Sequence, residues 1–299
     1  MTLLALIEAC ALQLADAGVS FGHGTSNALD EAAWLVLWQL GLPLDTPLDG
    51  EDSQADTPVD ADAQSLVQAL VAQRIRSRKP AAYLTHEAWL QGFPFYVDER
   101  AIVPRSLIAE LLVDGGMDYF LRPATHKVLD LCTGNGSLAV IAASVFPEVV
   151  VTASDLSVDA LAVARINVDK HGLQDRITLV QSDALRAPEL ATFGPFDLIL
   201  CNPPYVNAQS MAALPAEYRA EPAVALDGNA SGGSDGMDFV RTLLQDVGAH
   251  LNPQGVLVLE IGNERPYFEA AFPTLEVIWL ETSAGEDQVL LLTRETLYP

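Results

Sequence analysis

The residues with the most distinctive chemistry form the short motif Asn202-Pro203-Pro204-Tyr205, directly after the apolar run FDLILC. A residue before proline is kept extended, and each proline fixes its own φ while retaining its carbonyl. Asn202 and Pro203 therefore offer two rigid acceptors, which suit the two hydrogens of an –NH₂ group. Tyr205 adds a flat face for a planar amide or base. The motif predicts a substrate site in which Asn202, Pro203 and Tyr205 are catalytic and Pro204 completes the binding surface.

This acceptor pair favours one reaction, the methylation of an amide or amine nitrogen. An amide nitrogen is a poor nucleophile because its lone pair is delocalised into the carbonyl. Hydrogen bonds from both N–H groups, with the nitrogen aimed at a sulfonium methyl group, address this by orientation and electrostatics. No nucleophilic side chain is needed, and none is indicated. The simpler interpretation is that the motif is only a turn after a buried strand, and the acids upstream argue against it.

Those acids predict a cofactor crevice. Asp130 lies at the end of a strand-like run and is followed by Gly134 and Gly136, where a ligand can approach a backbone without Cβ atoms. Asp155 ends the next run, 19 residues beyond Gly136, where an acid can accept hydrogen bonds from ribose hydroxyls. Asp183 ends the third run and is placed to meet an adenine amine. The predicted cofactor-binding residues are Asp130, Cys132, Thr133, Gly134, Asn135, Gly136, Asp155, Leu156, Asp183, Ala184 and Asn202.

The glycine turn by itself does not identify the cofactor. The pattern Gly134-x-Gly136-x-x-Ala139 also fits a dinucleotide site, so it leaves a nicotinamide-dependent oxidoreductase open. The acceptor pair after the fourth strand instead favours S-adenosyl-L-methionine. The three cysteines lie far apart without a CxxC motif or paired histidines, so neither a disulfide framework nor a metal site is expected.

An alternation of strands and helices positions these residues. Strand-like runs with helices between them imply βαβ units and a parallel sheet, and they are KVLDLCT, VVVTASD, ITLVQSD and FDLILCN. GVLVLEIG follows, and LEVIWLE and DQVLLLTRE lack an intervening helix, so these two should pair antiparallel. The predicted fold is a Rossmann-like, class I α/β domain with a seven-stranded, mostly parallel sheet. Ligands bind such sheets at the carboxyl ends of the strands, where the acids and Asn202 meet.

A smaller helical domain is predicted before this sheet. Apolar periodicity and capping residues indicate helices over 3–17, 27–41 and 60–78. Residues 45–62 hold seven acids and no base, and should form a solvated loop. Residues from about 87 to 103 should form a β-hairpin linker around Gly92. We therefore expect a substrate-recognition domain over 1–103 and a catalytic domain over 104–299.

The net charge of −24, from 40 acids and 16 bases, constrains the partner. Such a surface repels a phosphate backbone, so no direct nucleic-acid partner is expected, and it attracts a basic protein. The same charge could serve solubility alone. No apolar run approaches the roughly 18 residues of a membrane span, and the N-terminal sequence does not resemble a signal peptide. With its sparse cysteines, the chain is predicted to work in a reducing cytoplasm without a membrane partner.

The two motifs resemble those of the protein-(glutamine-N5) methyltransferase family, whose members modify release factors and ribosomal protein L-three. The resemblance covers nearly the whole chain. It implies that the Asp130–Gly136 segment holds S-adenosylmethionine and that Asn202-Pro203-Pro204-Tyr205 grips the amide of a substrate glutamine. Cys132 stands at the first glycine position of the family's segment, as a variant of it. The segments Lys79–Leu84, Phe95–Asp98 and Val103–Arg105 match the family's approach to its catalytic domain.

Two features favour the ribosomal-protein branch of the family. They are Gly22-His23-Gly24-Thr25 and the stretch Pro104–Glu110, in which Leu107 departs from an expected proline. The alternatives are a release-factor glutamine methyltransferase, a DNA adenine methyltransferase, the oxidoreductase, or a non-catalytic ribosome assembly factor. Gly228–Asp238 looks like an extended form of the family's Gly-x-Asp-Gly-Leu segment and has no assigned role.

Overall fold

The computed structural model describes residues 1–121 and 125–297, and these residues divide into two compact units. The smaller unit comprises residues 1–88 and 214–221, and the larger unit is formed by the other described residues from Trp89 onward. Within the described ranges, no helix has the length and apolar character needed to cross a membrane.

Four helices form most of the smaller unit, namely α1 (Leu3–Asp16), α2 (Ala28–Leu40), α3 (Ala61–Ser77) and α4 (Ala81–Thr85). Side-chain caps begin three of them, because Thr2, Asn27 and Asp60 each accept hydrogen bonds from backbone N–H groups of the first turn. Gly41 ends α2 in the left-handed conformation with φ of +66°. The three predicted helices therefore lie within two residues of their expected bounds.

The acidic loop is tied to the first helix through its backbone. The amides of Leu3 and Leu4 donate to the carbonyls of Thr57 and Ala55 over 2.9 and 3.0 Å. These carbonyls satisfy N–H groups that the first turn of a helix leaves without an intrahelical partner. These hydrogen bonds use only backbone atoms of the loop and none of its carboxylates.

A short segment from far along the chain completes the smaller unit. It carries α10 (Ala216–Arg219), and its Glu217 accepts hydrogen bonds from two arginines of the α3 region. Arg74 Nη1 and Arg78 Nε lie 3.2 and 2.8 Å from Glu217 Oε1, while Arg74 Nε lies 2.8 Å from Oε1 of Glu31. Arg74, Glu31 and Glu217 are almost fully buried. Buried charges are costly unless they are paired. The pairing of Glu217 with the two arginines therefore determines where this segment packs.

The boundary between the units differs from the expected one at residue 103. The predicted hairpin is present as β1 (Ala88–Leu90) and β2 (Phe93–Phe95), with Gly92 at φ of +78°. Phe95 is fully buried in the core of the larger unit, and Phe93 packs against that core. Because these aromatic rings bury their apolar area there, the larger unit begins at the hairpin.

Seven further strands of the larger unit form one sheet in the order β5-β4-β3-β6-β7-β9-β8. They are β3 (Lys127–Leu131), β4 (Val150–Asp155), β5 (Ile177–Gln181), β6 (Phe196–Cys201), β7 (Leu251–Glu260), β8 (Ile278–Thr282) and β9 (Gly285–Thr293). The neighbouring pairs among β3 to β7 are parallel, whereas β9 runs antiparallel to both β7 and β8. The predicted seven-stranded, mostly parallel sheet and its final hairpin are confirmed.

Helices cover both faces of this sheet. They are α5 (Ile108–Val113), α6 (Ser137–Val145), α7 (Val158–Lys170), α8 (Pro188–Phe193), α9 (Ala208–Ala213), α11 (Asp238–Asp246), α12 (Arg265–Ala271) and α13 (Arg294–Leu297). Successive side chains of a strand face opposite sides, and on β3 Val128 joins one hydrophobic core while Leu129 joins the other. The register pairs Leu131 with Cys201 on one side and with Ser154 on the other. The residues that follow these three strands therefore meet at one edge.

Candidate active site

The loop after β3 has a left-handed backbone at three alternate positions, Cys132, Gly134 and Gly136, with φ of +62°, +56° and +82°. A Cβ on Gly136 would lie 3.1 Å from that of Ala164, so a side chain there would crowd α7. A Cβ on Gly134 would meet nothing within 4 Å, which leaves open space above the loop. Cys132 adopts the same conformation with a side chain, at a cost of about 1–2 kcal/mol.

Asp130 lies beneath this loop and is fully buried. Its Oδ2 accepts hydrogen bonds from the Thr133 hydroxyl at 2.5 Å and from the Ala139 amide at 3.0 Å. Its Oδ1 is buried without a hydrogen-bond partner among the described residues. Burial raises the pKa of the Asp130 carboxyl to about 7, and the negative charge of Asp155 adds to the shift. An unpaired acceptor in a buried position is costly, so this oxygen is suited to a donor brought by a ligand.

Two more polar atoms near the loop, Asn135 Nδ2 and Ser154 Oγ, are buried and have no hydrogen-bond partner in the part of the chain that the structure describes. Asn135 uses its Oδ1 to accept from the Ser137 amide at 3.2 Å. Ser154 receives a hydrogen bond on its backbone oxygen from the Thr133 amide. Buried polar groups are normally satisfied, so three unpaired groups around one loop are unusual among the described residues.

Asp155 ends β4 beside the loop. Its two oxygens accept from the amides of Gly134 at 2.8 Å and Ser157 at 2.9 Å. Burial raises the pKa of the Asp155 carboxyl, although these backbone N–H groups favour its charged form. Leu156, the next residue, is exposed. Asp155 thus fixes the loop as well as facing the space above it.

After β5, Asp183 is exposed and forms an ion pair with Arg186. Ala184 follows with φ of +49°, and the Ser182 hydroxyl donates to its carbonyl oxygen at 2.5 Å. This hydrogen bond holds the turn in a conformation that is unfavourable for a residue with a side chain. The turn places both predicted residues at the same edge of the sheet as Asp155.

One crevice joins these strand ends. Seven of the predicted cofactor residues line it, namely Cys132, Gly134, Asp155, Leu156, Asp183, Ala184 and Asn202. The other four, Asp130, Thr133, Asn135 and Gly136, are not in its wall. Asp130 is buried beneath the loop, Thr133 and Asn135 are buried within it, and Gly136 packs against α7.

Asn202 follows β6 at the mouth of this crevice and is half-buried. Its side-chain amide makes no hydrogen bond with any residue in the described ranges, so both of its polar atoms remain available. Pro204 also lines the crevice, whereas Pro203 is buried. The motif therefore presents an unpaired amide beside the space above the glycine loop.

The Tyr205 side chain points away from the crevice wall, towards the end of β7. Its hydroxyl donates to Glu260 Oε1 at 3.4 Å, and burial raises the pKa of the Tyr205 phenol. A Cβ on Gly262 would lie 2.6 Å from the Tyr205 ring, so the ring packs directly on a glycine backbone. Glu260 is buried, and its Oε2 accepts from the Ser106 hydroxyl at 2.6 Å. Tyr205 is thus held from several sides.

Parts of the crevice wall lay outside the sequence-based prediction. They are Arg100, Ala101, Ile102, Leu131, Ser154, Ser157, Ala160, Ser182, Pro222, Val224, Ala225, Ala230 and Phe239. Arg100 binds Asp98 through three hydrogen bonds of 2.6–3.1 Å, which lower the pKa of the Asp98 carboxyl to about 2. The spacing of Asp98 and Arg100, two residues apart in a polar turn, is the sequence feature that could have predicted this ion pair.

Asn167 is a second residue near the loop that was not predicted from the sequence. It lies fully buried within α7, and its Nδ2 donates to the carbonyls of Tyr96 at 2.9 Å and Asn135 at 2.8 Å. Its Oδ1 accepts from the Tyr96 amide at 2.7 Å. This one side chain joins the glycine loop to the segment after the hairpin. A polar residue on the apolar face of a helix was the only signal for it.

The fold and the crevice define a class I S-adenosylmethionine-dependent methyltransferase. Residues 110–218 match the family model of the methyltransferase small domain. The hMettl16 catalytic domain, solved in complex with MAT2A 3′UTR hairpin 6, shares the fold with a TM-score of 0.51 at 13% identity, over 78% of this chain and 81% of that one.

Full-length relatives identify the family. The ribosomal protein uL3 glutamine methyltransferase of Bordetella pertussis is 51% identical over 99% of this chain and 96% of its own length. The enzyme of the same name from Burkholderia pseudomallei is 50% identical over 96% of this chain and 92% of its own length. The chain belongs to the family of ribosomal protein uL3 glutamine methyltransferases, in agreement with the resemblance read from its motifs.

Proposed function

We propose that this enzyme methylates the side-chain amide nitrogen of a glutamine in ribosomal protein uL3, the L-three of the large subunit. The observation that carries this proposal is the unpaired Asn202 amide at the mouth of the crevice. An acceptor there is free to bind an amide hydrogen of a substrate. The names of the two bacterial relatives support uL3 over a release factor as the protein that carries the glutamine.

In the proposed mechanism, Asn202 Oδ1 and the Pro203 carbonyl accept the two hydrogens of the glutamine amide. These hydrogen bonds orient the nitrogen and increase its electron density, which compensates for delocalisation into the carbonyl. Tyr205, which the sequence predicted to pack against the planar amide, does not line the crevice and instead anchors the end of the motif through its hydroxyl contact with Glu260. The cofactor, when bound, would supply a methyl group from its sulfonium centre, with the C–S electron pair remaining on sulfur and one amide proton released to water as the N–C bond forms.

The residues around the loop fit S-adenosylmethionine. Asp130 Oδ1 is a buried acceptor that suits the side of the cofactor carrying the methionine amino group, and the open backbone at Gly134 allows close approach. Asp155 is proposed to accept from the ribose hydroxyls. The exposed apolar side chain of Leu156, with Asp183 and Ala184, would border the adenine.

The partner is proposed to be a basic protein that meets the enzyme in the cytoplasm. A chain of net charge −24 attracts such a partner at long range and repels nucleic acid. The smaller, helical unit is the candidate for recognition of the substrate protein. Its buried cluster of charges gives it a defined structure that could present a binding surface.

Mass spectrometry of ribosomal proteins and release factors from a deletion strain tests this function. We expect one glutamine of uL3 to lose 14 Da, and purified enzyme with S-adenosylmethionine to restore it. Purified release factor and duplex DNA serve as competing acceptors in the same reaction. Methylation of either of them, with uL3 unchanged in the deletion strain, would assign a different substrate.

A further inference from the structure

The Gly228–Asp238 loop packs along the backbone that leaves the catalytic motif. The Val206 amide donates to the Leu226 carbonyl at 2.9 Å, and the Gly228 amide donates to the Val206 carbonyl at 3.1 Å. These bonds pair Val206 with Asp227 in a parallel β-bridge. The residue directly after Tyr205 is therefore held by the start of this loop.

The Asn229 side chain connects Val206, which follows the motif, with Asp227 at the start of the loop and Gly236 near its end. Its Nδ2 donates to the Val206 carbonyl at 3.0 Å and to Asp227 Oδ1 at 2.7 Å. Its Oδ1 accepts from the Gly236 amide at 2.8 Å. The amide thus uses two donor bonds and one acceptor bond within this small region, so Asn229 acts as a cross-link.

Gly236, at the other end of that cross-link, touches the catalytic motif itself. Its φ is +79°, and a Cβ there would lie 2.1 Å from the Tyr205 carbonyl oxygen. Only a glycine permits this contact between backbones. Ala230, from the same loop, lines the crevice. The loop therefore borders the crevice with one residue and the backbone of Tyr205 with another.

We propose that Asn229 is a positioning residue for methyl transfer, which rests on the function proposed above. The prolines fix φ at two positions of the motif but leave its ψ angles free. Asn229 adds a side-chain restraint to the main-chain bridge at Val206, because it fastens Val206 and Gly236 together. It thereby keeps Asn202 and the Pro203 carbonyl at the mouth of the crevice, without touching substrate or cofactor itself.

The test compares Asn229→Ala with Ser234→Ala, a control in the exposed part of the same loop. The Ser234 side chain makes no hydrogen bond among the described residues, and its carbonyl contact with the Ala208 amide is kept in the control. Hydrogen exchange followed by mass spectrometry should show Gly236 and the 206–208 segment of Asn229→Ala exchanging about fivefold faster or more. The control should exchange like the wild type.

Kinetics with purified uL3 provide the second measurement. In Asn229→Ala we expect kcat to fall by about tenfold or more, because small displacements of reacting groups are costly. The dissociation constant for S-adenosylmethionine and the KM for uL3 should stay within about twofold of the wild-type values. A variant that was only unstable would instead lose cofactor binding together with activity. Asn229→Asp keeps an acceptor for Gly236 but replaces the donor to Val206 and Asp227 with a carboxylate oxygen that these acceptors repel, so the 206–208 segment should exchange faster and kcat should fall in this variant too, even if Asn229→Ala folds poorly.

Unchanged exchange in Asn229→Ala would overturn the proposal, as would faster exchange with a normal kcat. If the wild-type enzyme leaves uL3 unmethylated, the proposed function fails, and the exchange comparison alone then decides whether Asn229 holds the motif.

Discussion

The Tyr205 hydroxyl donates a hydrogen bond to Oε1 of Glu260 across 3.4 Å, so the Asn-Pro-Pro-Tyr motif after β6 is joined to the end of the neighbouring strand β7. The other carboxylate oxygen of Glu260 accepts from the Ser106 hydroxyl and from the Leu107 amide at 2.9 Å. Burial raises the pKa of the Glu260 carboxyl, while these donors favour its charged form. A single buried carboxylate thus fixes three separate segments of the chain.

Tyr205→Phe and Glu260→Gln should differ in stability for this reason. Tyr205→Phe removes one long hydrogen bond and leaves the other partners of Glu260 in place, so we expect a loss of about 0.5–1 kcal/mol. Glu260→Gln replaces the hydrogen bonds to a carboxylate with weaker ones to a neutral amide and turns its –NH₂ group towards the Tyr205 hydroxyl, which should cost about 1–3 kcal/mol. Urea unfolding measures both values. Equal losses would contradict the picture of Glu260 as the centre of the network.

Asp155→Ala should weaken S-adenosylmethionine binding by about 1.5–3 kcal/mol, the range for a lost hydrogen bond to a charged group. Isothermal titration calorimetry measures this loss, with Asp159→Ala as a matched control that removes an exposed acid from the first turn of α7. NAD should not bind the wild-type protein measurably. Tight NAD binding, or an equal loss in the control, would argue against the assigned crevice.

Asp130 predicts a pH dependence of stability in the cofactor-free protein. Its folded-state pKa of about 7 lies above the ordinary 3.8, so protonation favours the folded state. The stabilisation is complete below about pH 4 and is lost as the pH rises through about 7. The unfolding free energy should therefore fall between about pH 5 and pH 8, and Asp130→Asn should show a smaller fall. An unchanged slope in the variant would show that Asp130 is already ionised at pH 5.

Much of this catalytic domain could be predicted because its signals are local. The alternation of apolar runs predicts the parallel strands, and residues that directly follow such strands must meet at one edge of the sheet. That reasoning correctly brought Asp155, Asp183 and Asn202 to one crevice. Cys132 stands at a position where the resembling family has glycine, and it adopts the left-handed conformation that favours glycine.

The features that escaped prediction depend on contacts between distant parts of the chain. Glu217 belongs to the smaller unit because it pairs with Arg74, 143 residues away, and nothing in its neighbourhood signals that partner. Asn167 and Arg100 reach the loop and the crevice only once the sheet is assembled. The unit boundary at residue 88 likewise follows from where Phe95 is buried, which periodicity alone does not reveal.

The charge of the chain predicts a salt-dependent encounter with uL3. Added salt shortens the Debye length from about 10 Å at 0.1 M to about 3 Å at 1 M, so the association rate should fall steeply. Stopped-flow fluorescence with labelled uL3 measures the rate, and duplex DNA should not compete. A rate independent of salt would leave the net charge of −24 as a solubility feature.

Asn202→Ala tests the acceptor pair directly. Because the Asn202 side chain makes no hydrogen bond within the described residues, its removal should leave the fold and the loop above Asp130 intact. Methyl transfer should fall by about 10²-fold or more, as for other preorganised hydrogen-bonding groups, while S-adenosylmethionine affinity changes little. Single-turnover transfer of a tritiated methyl group to uL3 measures the transfer rate, and calorimetry measures the affinity for S-adenosylmethionine.

Gln209→Ala is the matched control for that experiment, since Gln209 is an exposed amide on α9, just beyond the motif. It should transfer methyl groups at the wild-type rate. Asn202→Asp retains an acceptor but faces the substrate with a charge, so its rate should lie between those of the wild type and Asn202→Ala. If Asn202→Ala methylates uL3 as fast as the Gln209 control, the amide hydrogens are not held by this side chain. The motif would then serve only to turn the chain after β6.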